Sequence, residues 1–129
     1  MSITKEQAKK GSEWWAKQLA GPPKFDNGDD SETGAMTMML ALMVGSSAKR
    51  KITESQVNIF QTALEELLIT ENIRYIGADY GPDHFLSRAL AAAGIDACTG
   101  LLPVKTSMYF REDGCVLVSE GYRAELVKI

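Results

Sequence analysis

A chain of 129 residues, 45% hydrophobic and 24% charged, has an ordinary globular composition, which excludes wholesale disorder and suits one core rather than two. Its formal net charge of -3, from 14 basic and 17 acidic side chains, argues against a nucleic-acid binder, whose affinity rests on neutralising phosphates. Two cysteines, Cys98 and Cys115, are too few for a disulfide framework, and one histidine, His84, excludes the His-rich zinc patterns. No secretory leader pattern opens the sequence, so the expectation is a cytoplasmic protein with reduced thiols, no cofactor and no membrane span.

In chain order, Thr4 and Gln7 make a capping box, with Ile3 placed to staple onto Ala8. The first helix is expected to run to about Ala20, with Ala8, Gly11, Trp15 and Leu19 on one face and Lys5, Lys9, Glu13 and Lys17 on the other. Gly21-Pro22-Pro23 stops it, and residues 24–32 follow as an acidic loop. Asp26, Asp29, Asp30 and Glu32 supply oxygen ligands at a density that suits Ca²⁺. Their spacing does not fit the EF-hand pattern, however, and a cap on the next helix by Asp30 or Ser31 is the preferred reading.

Residues 35–44 form the most apolar run and hold four of the six methionines. A helix that is hydrophobic all round must be covered on most sides, and ten residues cannot cross a bilayer that needs about 20. The run is therefore expected to be the central core helix. After the basic connector Lys49-Arg50-Lys51, Thr53 and Gln56 repeat the capping box and Ile52 pairs with Val57. The helix that follows should reach about Leu68, with Val57, Phe60, Leu64 and Leu67 as its stripe, widened by Ile59, Ala63 and Leu68.

The period then changes to that of a strand over residues 73–80. Pro82 is expected at the first position of a fourth helix, ending in a Schellman turn at Gly94 with Ile95 against Leu90. Residues 104–110 and 115–119 read as a hairpin. A three-residue turn with a glycine bulge pairs Phe110 with Val116 and Met108 with Val118, which keeps the apolar set on one face and is preferred over a two-residue Asp-Gly turn. Residues 122–129 form a further strand or an ordered tail.

The most site-like segment is residues 79–84, between a strand end and a helix start, where exposed amides favour an anion. Tyr80, Gly81, Asp83 and His84 are the candidate ligand-binding residues. His84 is the candidate acid–base group, oriented by Asp79 or Asp83. Against this, Asp83 sits where the protein can satisfy the amides itself. No catalytic constellation emerges: there is no nucleophile elbow and no phosphate-cradling glycine loop. Candidate partner contacts are Trp14, Phe25, Asp26, Asp29 and Asp30, Trp14 because exposed tryptophans often anchor interfaces.

Trp14-Trp15-Ala16, the Lys24-to-Asp29 stretch, Asp79-Tyr80-Gly81-Pro82-Asp83 and Leu102-to-Met108 together resemble small accessory proteins of tailed phages and prophages of Gram-positive bacteria. No known chemistry attaches to these motifs. The resemblance implies a phage-encoded factor, in the host cytoplasm, that binds and inhibits a host protein such as a component of antiphage defence, CRISPR nucleases included. The whole reading is an α+β protein, residues 1–129 as one domain, with about four helices around the methionine-rich helix and a small, mainly antiparallel three-stranded sheet. The leading function is a non-enzymatic interaction module. The alternatives are a small-ligand or nucleotide binder or small enzyme using the Tyr80–His84 turn, and a homo-oligomeric structural component.

Overall fold

The computed structural model describes residues 3–21, 51–78, 81–97, 101–102, 105–120 and 125–129. The expected helix over residues 35–44, the acidic stretch 24–32 and the basic residues 49 and 50 lie outside the described residues.

Three helices and four strands are described: α1 (Lys5–Ala20), α2 (Glu54–Thr70), β1 (Tyr75–Ala78), α3 (His84–Ala92), β2 (Thr106–Phe110), β3 (Val116–Glu120) and β4 (Val127–Lys128). The strands form one antiparallel sheet in the order β1-β2-β3-β4, so the architecture is α+β. The expected three-stranded sheet is corrected to four. Val127 pairs with Val118 and Lys128 with Leu117, so the tail read as a further strand or an ordered tail supplies a two-residue strand.

Both capping boxes form. Thr4 Oγ1 accepts from the Gln7 amide and Gln7 Oε1 accepts from the Thr4 amide; Thr53 and Gln56 repeat the pattern. α3 ends as expected, with Gly94 at φ +71° and bonds from Gly94 N to Ala91 O and from Ile95 N to Leu90 O. α2 closes the same way through Asn72, at φ +50°, whose amide bonds to Ile69 O while Ile73 N bonds to Leu68 O. Asparagine tolerates this left-handed conformation.

At the start of α3 the expectation is corrected. Asp83 is the N-cap and His84 the first helical residue, while Pro82 stands outside the helix in a bridge with Ala78. A carboxylate that accepts the Leu86 amide caps more strongly than a proline that merely fits.

The hairpin takes the three-residue turn. Phe110 faces Val116, Met108 faces Val118, and Gly114 has φ +90°. Arg111 N bonds to Cys115 O at 2.9 Å and Gly114 N to Arg111 O at 3.2 Å. Ile76, Ala78, Thr106, Met108, Phe110, Val116 and Val118 consequently share one sheet face, and all are buried.

The helices cover that face. α1 lies so close that a Cβ on Gly11 would sit 2.8 Å from the Phe110 ring and 3.1 Å from the Met108 sulfur. Trp15, Phe60, Leu64, Leu68, Leu86 and Leu90 fill the core between helices and sheet, joined by Leu101 and Leu102 from a loop. On α2 the stripe holds at Phe60, Leu64 and Leu68. Ile59, expected to widen it, is 46% exposed.

Candidate functional site

Two places are candidates for function: the turn before α3, and the sheet face that none of the described helices covers. In the turn, one Asp83 carboxylate oxygen accepts the Leu86 amide at 2.9 Å and the other accepts the Gly77 amide at 2.8 Å. The Asp83 amide donates to Gly77 O at 3.0 Å. Asp83 thus caps α3 and seals the outer edge of β1, occupying with the protein's own carboxylate the helix terminus an anion would use. Gly81 and Asp83 are half-buried here, whereas Tyr80 and Asp79 lie outside the described residues. His84 is exposed, its ring edge-on to Phe85 with centroids 5.5 Å apart, and among the described residues no carboxylate orients it. Gly81, Asp83 and His84 are brought together at the start of α3.

Of the candidate partner contacts, Trp14 is half-buried and packs edge-on against the fully buried Trp15, centroids 4.9 Å apart. It braces the core with one edge and leaves part of its ring at the surface. Phe25, Asp26, Asp29 and Asp30, with the metal candidate Glu32, lie outside the described residues. Among the described residues no group of three or more His, Cys, Asp or Glu side chains is placed to hold a metal ion, and no helix is long and apolar enough to cross a membrane. Cys98 lies outside the described residues, and Cys115 is half-buried beside the hairpin turn.

The uncovered sheet face carries Tyr75 and Gly77 from β1, Ser107 and Tyr109 from β2, and Leu117 and Ser119 from β3. Tyr75 and Tyr109 are directly opposed, with ring centroids 5.0 Å apart and planes at 52°, and they are 48% and 40% exposed. The Tyr75 ring leans along its strand over Gly77, where a Cβ would meet the Tyr75 hydroxyl at 2.8 Å, and that hydroxyl reaches to 3.4 Å from Ser107 Oγ. Glycine and serine thus leave the room in which the ring lies down.

Beside the pair, a shallow depression of about 880 Å³ is bordered by Arg74, Phe110, Arg111, Glu112 and Asp113. The Asp113 carboxyl is held below the usual aspartate range, first by hydrogen bonding from Cys115 and then by the nearby Arg111 and Lys128 charges. The rim therefore carries charge of both signs.

Sequence reasoning passed over Tyr75 and Tyr109 as functional residues, although the signal was present. The preferred hairpin register sets Tyr109 on the face opposite Met108 and Phe110, which leaves a large aromatic facing water. Among known proteins, no family model, no curated protein and no solved structure matches this chain.

Proposed function

We propose that this chain is a non-enzymatic protein-interaction module that binds through the open sheet face centred on Tyr75 and Tyr109. The observation that carries the reading is two opposed, exposed tyrosines on a face that also carries Gly77, Ser107, Leu117, Ser119 and, opposite Leu117, Lys128. Tyrosine offers a large, rigid contact surface with a polar tip and recurs at binding hot spots. The mixed-charge rim of Arg74, Arg111, Glu112 and Asp113 matches the polar border of a protein interface better than a phosphate-binding surface. The resemblance to small phage accessory proteins supports the finer reading, a phage-encoded inhibitor of a host protein such as an antiphage-defence component.

The test is affinity capture from Gram-positive host lysate with wild type and with the double variant Tyr75→Ala/Tyr109→Ala. One host protein is expected to be retained by wild type and reduced at least tenfold by the variant, and expression of wild type is expected to relieve host defence. Equal retention by both would refute the proposed surface, and no captured protein together with unaltered defence would refute the function.

A further inference from the structure

The sheet holds two phenols side by side at a position where antiparallel strands bring side chains closest. Phe110 N donates to Arg74 O at 2.9 Å, so Arg74 and Phe110 form a bonded pair at the start of β1. Bonded and non-bonded pairs alternate along an antiparallel ladder, which sets Tyr75 opposite Tyr109 at a non-bonded position. The amide and carbonyl of Gly77, two residues on, accordingly turn away from β2 and bond to Asp83. At a non-bonded position the backbones approach to about 4.5 Å. The ring centroids lie 5.0 Å apart, which brings the ring edges into contact.

Both rings are exposed, so a small oxidant reaches them from solvent, whereas Met108 between Ser107 and Tyr109 is fully buried on the opposite face. Exposed side chains reorient within picoseconds to nanoseconds, so the ring carbons beside the two hydroxyls sample direct contact.

We propose that Tyr75 and Tyr109 are a site of oxidative modification, joined within one chain as a dityrosine when hydrogen peroxide is turned over by a haem peroxidase. Each phenol gives up one electron and one proton and becomes a phenoxyl radical. The two radicals form one carbon–carbon bond between ring carbons ortho to their oxygens, and the hydrogen on each of those carbons moves to oxygen and restores the phenol. The peroxide accepts the two electrons and two protons, its O–O bond breaks, and two waters leave. Proximity favours this pair over any encounter between separate chains, because held partners react as if at a very high local concentration. The product ties β1 to β2 across the open face.

The full chain, dilute and with peroxide and horseradish-type peroxidase in excess, is expected to stay at one chain mass and become lighter by two hydrogen atoms, with the fluorescence of dityrosine. Peptide mapping by mass spectrometry should find the Tyr75 peptide joined to the Tyr109 peptide at least tenfold above any other pair among the four tyrosines. Tyr75→Phe and Tyr109→Phe should each lower the intrachain product at least tenfold while circular dichroism stays native. The wild-type map is a readout that does not depend on either variant folding. Coupling only between chains, coupling through Tyr80 or Tyr122 instead, or no coupling under conditions that convert N-acetyltyrosine amide would each overturn the proposal. No partner protein enters these measurements, so their failure leaves the tyrosine-face reading standing.

Discussion

Gln7 works in two directions at once. Its Oε1 completes the α1 capping box, and its Nε2 donates to Arg111 O at 2.6 Å and to Cys115 O at 3.1 Å, tying the start of the first helix to the neck of the hairpin more than 100 residues away. In Gln7→Ala each carbonyl loses this donor but keeps a backbone one, Gly114 N at Arg111 O and Arg111 N at Cys115 O, so the expected cost is that of ordinary hydrogen bonds, about 0.5–1.5 kcal/mol each, which denaturant titration would read. Gln7→Glu should be worse at neutral pH, because it sets a carboxylate against two carbonyl oxygens, and the deficit should shrink on acidification when the carboxyl can donate. Asp113 gives the second residue-scale expectation. Its folded value lies below the ordinary one, so its contribution is fully present above the usual aspartate range and is lost as pH falls through the lower folded value. A carbon-13 titration of the Asp113 carboxyl should show a midpoint below that of the same group in the denatured chain.

At the scale of elements, the joints decide the arrangement. Asp83 holds α3 to β1 through two amides, so Asp83→Ala forfeits a cap worth about 0.5–2 kcal/mol and strands the Gly77 amide. The combined loss is expected at about 2–4 kcal/mol, with fast exchange of the Gly77 amide as the local signature. α1 meets the sheet at Gly11, where no side chain fits under Phe110. Gly11→Ala gains about 1 kcal/mol in helix propensity, yet it overpacks at a cost of about 1–3 kcal/mol, so a net loss of about 1 kcal/mol is expected in thermal unfolding. Asn72 is a third joint: it terminates α2 and its side-chain oxygen accepts the Ile3 amide at 2.8 Å. The exposed Arg88–Glu71 pair, at 2.7 Å, spans α2 and α3 but contributes little, since water screens both groups.

At the scale of the whole molecule, the sheet separates stability from the proposed recognition. Met108 and Tyr109 are neighbours in β2, one fully buried under the helices and the other facing water. Met108→Ala should cost about 2–5 kcal/mol. Tyr109→Ser should cost under about 1 kcal/mol while abolishing most of the proposed partner binding. Parallel unfolding and capture measurements on the two variants would show that opposite pattern.

Much of the local structure was legible in the sequence because its causes are local. Thr4 with Gln7, Thr53 with Gln56, and Gly94 with Ile95 act over a few residues, and the hairpin register follows from one glycine and one alternating pattern. Pro82 misled because a fixed φ suits a helix start, whereas the adjacent aspartate competes for the cap and wins through a hydrogen bond. Only the tertiary structure decided that the second hand of Gln7 reaches the hairpin, that Asn72 receives Ile3, that Asp83 seals β1, and that Leu101 and Leu102 belong to the core. It alone decided that Tyr75 lies down over Gly77. Hydrogen bonds within one turn leave a fixed spacing in the sequence, but contacts between residues far apart in the chain depend on which faces helices and sheet bury against each other, and no local pattern records that choice.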